Sequence, residues 1–443
     1  MDESAALETA VGAVALARTA GAGAAEATLS VARRFHAEGR ENVVSKLERA
    51  IAKSLHVRLF VDGRKASLTT SDLSPGGLRA AIERTIAQAA AVAPDEFAGL
   101  PDAFALDLPE LDLYDAAIET RDGDWKVEET LFLERLIRQA DPRIVNSNGS
   151  HYSDATSVTA LANSAGFAAA YRSSRATRST GPVAADGATK RTAHYGTAAR
   201  HFDRLEAAEA VAETAVGRAV AMFGARKPAT MRVPVIFERD VASSILDDVF
   251  AAVSAANVAA GNSWLVGRTG TQVGSPLVNI VDDGRLAGML GSAPFDGEGV
   301  ATRRTTVFEA GVLRTFLFDS YYARKLGAAS TGNASGSGVC ANNLYLEPGT
   351  MTLDELIAST PTGVLVLDTI GFATEHASGT YSRGAHGFFI RDGEIAYPID
   401  EFTIAGEYAE MLAAIDGVAG DLRFDGAIVS PSFRVAEMTI SGN

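Results

Sequence analysis

The spacing of apolar and polar side chains predicts a chain in which strand runs and helices follow one another irregularly. Helical spacing covers Ser4–Thr19, a segment from the Ser74-Pro75 cap to about Ala91, Trp125–Gln139, Leu205–Phe223 and Arg239–Ala259. Strand-like patterns cover Ala27–Phe35, Asn42–Ile51, His56–Val61, Ile144–Leu161, Phe167–Arg178, Pro182–Tyr195, Arg232–Phe237 and Phe433–Ile440. Because the strands come in antiparallel runs, we expect an α+β fold. Helices on antiparallel strands would form the N-terminal region, and a mostly antiparallel β domain with inserted helices would follow.

Breaks in this pattern divide the chain into three folded units. Residues 1–94 are predicted to form an N-terminal α+β unit. Residues 125–226 are predicted to form a central α+β unit, which could join the first in one domain. Residues 95–124 are irregular and acidic, with Pro101 and Pro109, and are interpreted as a linker across the surface. Lys227-Pro228 opens the last unit, a C-terminal domain over residues 227–443.

The stretch Gly371–Glu407 concentrates unusual residue types. It holds two of the chain's seven histidines and an Asp392-Gly393 pair between apolar runs, which is typical of a tight hairpin turn. It is also dense in glycine, which indicates backbone conformations closed to other residues or close approach by a second chain. We therefore expect a glycine-rich loop, a strand Gly387–Arg391, a turn, and a strand Glu394–Ile404.

Composition and charge narrow the functional class. The 443-residue chain has a net charge of -15 and one cysteine, Cys340, which excludes an internal disulfide and fits a reducing compartment. The N-terminus is acidic where a signal peptide would be basic, and no run of 18 apolar residues occurs, so we expect a cytoplasmic protein without a membrane partner. The acidic balance argues against direct nucleic-acid binding. Basic residues such as Arg172, Arg175 and Arg178 are interpreted as solvated strand faces.

A search for catalytic motifs finds none that is complete. The chain has no H-E-x-x-H pair, no G-x-S-x-G elbow and no G-x-x-x-x-G-K-[ST] phosphate loop. Cys340, beside a Gly-Ser loop, is interpreted as a buried small hydrophobe rather than a nucleophile. Asp400 and Glu401 are neighbours on a strand, so they point to opposite faces and cannot act as one catalytic pair. We therefore assign no residue a catalytic or metal-binding role.

The C-terminal half carries a distinctive set of short motifs. They are Ser378-Gly379-Thr380-Tyr381-Ser382-Arg383-Gly384-Ala385, Gly387-Phe388-Phe389-Ile390, Tyr397-Pro398-Ile399-Asp400-Glu401, Thr403-Ile404-Ala405-Gly406 and Glu437-Met438-Thr439-Ile440-Ser441-Gly442. Two upstream segments add to them, Phe318-Asp319-Ser320-Tyr321-Tyr322-Ala323 and Thr331-Gly332-Asn333-Ala334. In these motifs the chain resembles the TldD/PmbA family, also known as peptidase family U62 or "modulator of DNA gyrase".

Within that family the chain resembles the PmbA/TldE-like branch. The TldD branch carries H-E-x-x-x-H on a helix of its C-terminal region, whereas the corresponding helix here, around Ile245–Ser254, has no histidine or glutamate. The resemblance thus implies a chain without a cofactor of its own, with zinc held by a TldD-type partner. It also implies that the two subunits, as a cytosolic heterodimer, enclose a chamber for unfolded or small peptides. A homodimer is the alternative assembly.

Five residues of the glycine-rich stretch are candidates for lining such a chamber or contacting peptide. They are Tyr381, Arg383, His386, Gly379 and Gly384. The glycines could equally serve only local turns. Two other functions stay open. One is a stand-alone hydrolase that uses His376, His386 or Cys340, and the other is a non-catalytic homodimeric binding or assembly module.

Overall fold

The N-terminal half forms one long antiparallel sheet with helices packed on it. The structure, a computed structural model, describes residues 1–104 and 107–442, and only the backbone of residues 372–374. Its first elements are α1 (Glu3–Thr19), β1 (Ala24–Arg40), β2 (Val43–Val61), β3 (Arg64–Thr70), α2 (Pro75–Ala89), α3 (Ala116–Thr120), α4 (Gly123–Ala140), β4 (Ile144–Asn163), β5 (Ala168–Asp186), β6 (Thr189–Thr192), β7 (Tyr195–Ala199) and α5 (Ala208–Ala221). The strand order is β3-β2-β1-β4-β5-β6, and β7 also pairs with β5. The sheet thus unites strands from before and after the segment 95–124.

Capping side chains set where the N-terminal helices begin. Asp2 accepts a hydrogen bond from the backbone N–H of Ala5 at 2.9 Å, and Asp122 accepts one from Trp125 at 2.7 Å. Ser74 caps α2, with Pro75 at its first position. These local signals explain why the predicted and observed starts of the helices agree closely. Among the described residues, no helix is long and apolar enough to cross a membrane.

Alternation along β1 decides which face of the sheet the helices cover. Leu29 and Val31 belong to the core that α1 and α2 bury, and Phe35 belongs to a core with residues of α3 and α4. Because successive strand residues point to opposite faces, Arg34 and His36 lie on the other face. The helices therefore leave a second, more polar face, and the rest of the chain lies against part of it.

The C-terminal half contains two further large sheets and one two-stranded sheet. Its elements are β8 (Met231–Phe237), α6 (Arg239–Val253), α7 (Ala255–Ala259), β9 (Ile280–Asp283), β10 (Arg304–Glu309), β11 (Val312–Leu313), α8 (Ser320–Leu326), β12 (Ala334–Ser335), β13 (Gly338–Val339), β14 (Leu344–Leu346), α9 (Leu353–Ala358), β15 (Thr362–Glu375), β16 (Thr380–Arg391), β17 (Glu394–Glu407), α10 (Tyr408–Ala413), β18 (Ile415–Val418), β19 (Ile428–Val429) and β20 (Phe433–Ser441). One sheet has the order β17-β16-β15-β8-β20-β18, and the other has the order β11-β10-β9-β14-β19. The mostly antiparallel sheets with inserted helices confirm the predicted α+β class.

The larger C-terminal sheet curls round a core of aromatic and aliphatic side chains. β17 pairs with β16 on one side and with β20 on the other, so the order of strands closes into a ring. Phe237, Tyr381 and Ile404 are fully buried in this core, together with the apolar face of α6. The helix α6 is therefore fixed between the two C-terminal sheets.

Arginine side chains join the N-terminal sheet to the C-terminal domain. Arg58 on β2 bonds Glu26 at 2.6 Å and Glu298 of the C-terminal domain at 2.8 Å, and all three side chains are largely buried. Arg200, beyond β7, donates to the carbonyl oxygens of Met289, Leu290 and Ser292 at 3.0, 2.7 and 3.1 Å. These contacts fix how the polar face of the sheet meets the C-terminal domain.

The stretch Gly371–Glu407 is not the loop and short strands that its glycines suggest. It belongs to three long paired strands, with a tight turn between Glu375 and Thr380 and a second turn at Asp392-Gly393. The expected strand Gly387–Arg391 is the end of β16, which begins at Thr380. Cross-strand pairing on both sides outweighs the low strand propensity of glycine here. The prediction of a glycine-rich loop was therefore wrong.

Buried carboxyl groups occupy the smaller C-terminal sheet and the loops beside it. Asp282 accepts hydrogen bonds from Asn333 at 2.7 Å and from the backbone of Asn342 at 2.8 Å, and burial raises its pKa to about 6. Burial likewise raises the pKa of Asp296 to about 7, although the backbone N–H groups of Ala334 and Glu298 bond its carboxylate. Both groups therefore hold protons more tightly in the folded chain than in the unfolded one.

Replacing Gly387 by alanine is expected to destabilise the C-terminal sheet. A β-carbon at this position would lie 1.9 Å from the carbonyl oxygen of Leu365, so the paired strands would have to separate, at a cost of about 1–3 kcal/mol. The matched control is Gly12→Ala in α1, where a β-carbon meets no atom within 4 Å and alanine should stabilise the helix by about 0.8–1 kcal/mol. Denaturant unfolding measures both, and equal effects of the two substitutions would contradict this account.

Stability should fall as the pH rises from about 4 to about 7, to the extent that Asp282 and Asp296 control it. A raised folded pKa means that the folded state binds more protons in this window, so its advantage is lost as the carboxyl groups ionise. In Asp296→Asn the free energy of unfolding should therefore decline less steeply with pH. Urea unfolding at several pH values measures the slope, with the exposed Asp107→Asn as control. An unchanged slope in Asp296→Asn would refute the assignment.

Candidate functional site

A cavity of about 620 Å³ lies between the polar face of the N-terminal sheet and the C-terminal domain. The sheet supplies Arg175, Thr177 and Ser179 of β5 and His194 before β7. The C-terminal domain supplies Asp240, Val241 and Ser244 of α6, Asp368 of β15, Arg383 and His386 of β16, and Arg423. Two domains therefore build the cavity together, which is a common position for ligand sites.

The walls of this cavity are rich in cationic groups, although the whole chain is acidic. Among the described residues, Arg218 pairs with Asp240 at 2.7 Å, and Arg423 bonds Glu206 and Asp425. The exposed Arg175, in contrast, makes no ion pair or hydrogen bond with any other described residue. The cavity therefore offers positive charge that the protein itself does not fully neutralise. Such a surface suits carboxylate and carbonyl oxygens.

One wall of the cavity centres on Arg383. Its Nη2 lies 2.6 Å from Oδ2 of Asp248, and its Nη1 lies 3.3 Å from Oγ of Ser244, one helical turn earlier on α6. The hydroxyl of Tyr408 donates to the same Asp248 oxygen at 2.5 Å. The guanidinium group thus fixes β16 against α6 and balances the charge of Asp248.

The helix α6 does not fit a zinc ion. Its residues 239–253 include no histidine, and the side chain of Asp248 is engaged by Arg383 and Tyr408. Structural and catalytic zinc sites need at least three nitrogen, sulfur or carboxylate ligands at one point. Metal chemistry at this helix therefore finds no support in these residues.

Of the five candidate residues, Arg383 and His386 lie at the cavity. Nε2 of His386 is 4.0 Å from Oδ2 of Asp368, and both residues line the cavity. The sequence analysis placed Arg383 and His386 in a glycine-rich loop before the predicted strand Gly387–Arg391, whereas both lie on β16. The structure adds Arg175 and His194 from the distant N-terminal sheet. From sequence, Arg175 is interpreted as part of a solvated strand face. Its place in a run of basic residues was the available signal that this face binds a ligand.

The other three candidates lie elsewhere. Tyr381 is fully buried, with its ring against Phe237 and Tyr408 at centroid distances of 6.4 and 5.7 Å, and burial raises its pKa. It therefore cannot contact a peptide in the cavity, which corrects the expectation from sequence. Gly379 has φ +80 and leaves space for the indole of Trp264, whose Cγ would lie 2.8 Å from an added β-carbon. Gly384 packs in β16 near the carbonyl oxygen of Ile370.

The thiol of Cys340 is poorly suited to act as a nucleophile. Burial and the nearby carboxylates of Asp282 and Asp296 raise its pKa to about 11, so the thiol carries its proton at neutral pH. Asp400 pairs with Arg191 of β6 at 2.5 Å, whereas the neighbouring Glu401 is exposed. Asp400 therefore joins β17 to β6 through its ion pair, and Glu401 faces solvent.

Comparison with known proteins matches nearly the whole chain to one family. Family models described as PmbA/TldA metallopeptidase domain 1, central domain and C-terminal domain match residues 25–93, 118–223 and 230–442. The metalloprotease PmbA homolog of Haemophilus influenzae is 36% identical over 434 residues, which cover 97% of this chain and 95% of that protein.

Two crystal structures share the fold. A suggested modulator of DNA gyrase from Bacteroides thetaiotaomicron has a TM-score of 0.92 at 25% identity, covering 98% of both chains. TldE from Thermococcus kodakarensis has a TM-score of 0.89 at 22% identity, covering 98% of this chain and all of that one (100%). The chain belongs to the PmbA/TldD family of metallopeptidases.

Proposed function

We propose that this chain is the PmbA/TldE-like subunit of a two-subunit cytosolic peptidase of the TldD–TldE type. In this proposal it binds part of an unfolded or small peptide, and a TldD-type partner supplies the zinc. The single observation that carries the proposal is the state of α6. Where a metallopeptidase of this family would need metal ligands, Ser244 and Asp248 bond the guanidinium group of Arg383. A chain with a binding cavity and no catalytic metal helix suits the role of a supporting subunit.

The cavity supports peptide as the ligand. Its volume of about 620 Å³ lies within the range of small-molecule pockets, which is about 300–1,000 Å³, and so can hold a small peptide or part of a longer one. Arg175, His194 and His386 offer nitrogen donors on its walls. A peptide presents carbonyl oxygens along its whole length and a carboxylate at its end. Hydrogen-bond donors on the cavity walls can therefore bind its main chain whatever its side chains are.

An unpaired strand edge supports assembly with a partner subunit. β3 pairs with β2 only over residues 55–61, so residues 43–54 of β2 form an edge of the sheet. Val43, Leu47 and Ile51 on this edge expose 63, 56 and 66% of their surface. Leu47 and Ile51 lie on one face of the strand, and a register shift between Val44 and Lys46 separates Val43 from them. Exposed apolar residues on a free edge favour pairing with another chain.

Two alternatives remain as outcomes of experiment. A stand-alone hydrolase would need a nucleophile or base, but the raised pKa of Cys340 disfavours the thiolate. A non-catalytic homodimeric module would use the same β2 edge to bind a second copy of this chain. Among the described residues, no hydrogen bond links His376, His386 and Cys340 to one another, so the stand-alone hydrolase has no assembled catalytic group.

The first test compares the purified chain with and without a TldD-type subunit. The lone chain should not cleave a fluorogenic unstructured peptide, and the mixture should cleave it. Cys340→Ala should leave the activity of the mixture unchanged, because the protonated thiol takes no part in it. Hydrolysis by the lone chain that disappears in His386→Ala would overturn the proposal in favour of a self-contained enzyme. A stable homodimer that does not bind the TldD-type subunit would favour the homodimeric assembly module.

The second test asks whether the cavity binds peptide. Arg175→Ala and His386→Ala should each weaken binding of a labelled unstructured peptide about fivefold, since each removes roughly 1 kcal/mol of partly solvated hydrogen bonding. Fluorescence anisotropy on the assembled complex gives the Kd. The exposed Arg268, which lies outside the cavity walls, provides the control Arg268→Ala. Equal affinities for all three variants and the unmodified chain would place peptide binding elsewhere.

A further inference from the structure

The polar face of the N-terminal sheet carries three metal-binding side chains at one point. One ligand atom from each of His36, Glu38 and His151 lies within 4.8 Å of the other two. We propose that these residues form a binding site for a divalent transition-metal cation of the zinc type. The site is separate from α6 and from the side chains that bond Arg383.

The register of two strands assembles this site. His36 and Glu38 are two residues apart on β1, so their side chains lie on the same face. Antiparallel pairing of β1 with β4 places Glu38 directly opposite His151, and His36 directly opposite Ser153. Directly opposed residues in a sheet have their β-carbons about 4.5–5.5 Å apart, so the backbone itself brings the three side chains together.

The ligand atoms are available for a metal. Among residues 1–104 and 107–442, neither the carboxylate of Glu38 nor the ring of His151 forms a hydrogen bond or ion pair with another residue. His36 uses only Nδ1, which lies 2.7 Å from Oγ of Ser153, and Nε2 remains for a metal. Metal-binding histidines usually make such a bond with the second ring nitrogen, because it fixes the tautomer and the orientation of the ring.

The surroundings leave room for an ion and for access. The chain passes beside the site at Gly149, with φ +106, and a β-carbon there would lie 3.2 Å from both Nε2 of His151 and Cγ of Glu38. Glycine thus leaves space beside two ligands. All three ligands are partly buried, so they are shielded but reachable from solvent. His36 also lines a cavity of about 400 Å³ that shares Arg175 and Thr177 with the larger cavity.

The donor set selects the class of metal. Two imidazoles and one carboxylate suit zinc and its neighbours Co²⁺ and Ni²⁺, whereas Ca²⁺ and Mg²⁺ prefer an all-oxygen shell. Three protein ligands leave at least one coordination position open for water or an oxygen of a bound ligand. The proposal stands independently of the proposed function, because it concerns the sheet and not the partner or α6.

The experiment titrates Zn²⁺ into the full-length chain after removal of metals with a chelator. Isothermal titration calorimetry should show one saturable site, and Co²⁺ should give visible absorption typical of nitrogen ligation. His36→Asn, His151→Asn and Glu38→Gln each keep a polar side chain and should each weaken binding at least tenfold. Ser153→Ala should weaken it about tenfold through loss of the orienting bond. His56→Ala, on the same sheet but bonded to Thr69, is the matched control and should bind normally.

Two results would overturn the site. One is absence of saturable Zn²⁺ binding in the folded chain, and the other is unchanged binding in a variant that lacks all three ligands. Circular dichroism on each variant excludes loss of the fold as the cause. The outcome is distinguishable from a failure of the proposed function. Zinc binding lost in the His151 variant, with peptide cleavage still dependent on the partner, supports both proposals. Cleavage by the lone chain would overturn only the proposed function.

Discussion

A sheet covered by helices on one face needs another partner for its second face, and this constraint shapes the whole molecule. Along β1 most helix-facing side chains are apolar, and the intervening ones are mostly polar. Near one end of the sheet, Phe167 packs edge-on against Phe295 of the C-terminal domain at a centroid distance of 5.2 Å. Toward the other end, the polar side chains of Arg34 and His36 line a cavity instead. The C-terminal domain therefore covers the face only in part, and the uncovered part becomes cavity wall.

Ion pairs decide the angle at which the two halves meet. A buried pair such as Arg58 with Glu26 and Glu298 contributes little net stability, because removing the charges from water costs about as much as their attraction returns. Such a pair does penalise any arrangement that separates its partners, since a charge would then stay buried without a counter-charge. Arginine suits this role because its planar group donates in several fixed directions. Arg200, which bonds three carbonyl oxygens, uses the same property.

Local signals in the sequence were enough to predict the long helices and the fold class, but not the short helix α3 within the predicted linker, nor the site. Asp2 and Asp122 act within three residues of their own positions, so their effect can be read directly. The fate of Tyr381 depends instead on pairing of β16 with both β15 and β17 and on the aromatic side chains that this pairing brings around it. In a glycine-rich stretch a tyrosine suggests ligand contact, yet here it fills the core.

The same limit applies to residues brought together across the sheet. His36 and His151 lie far apart in the chain, and their proximity follows from a strand register that no spacing rule within one segment contains. Metal-site motifs that can be recognised in a sequence place their histidines close together, as on one helix. In an antiparallel sheet the relevant signal is two metal-binding residues that lie two positions apart on one strand, with a third directly opposite one of them on the neighbouring strand. Which residues lie opposite each other is known only once the register of the strands is known.

The single, shielded thiol makes the chain convenient for spectroscopy. Cys340 is half-buried and its pKa is about 11, so it competes poorly for maleimide or iodoacetamide labels near neutral pH. A cysteine introduced on a cavity wall would therefore be the preferred point of attachment for a dye or spin label in the otherwise native sequence. Distances across the cavity could then be followed while ligands bind, without first replacing a residue of the core.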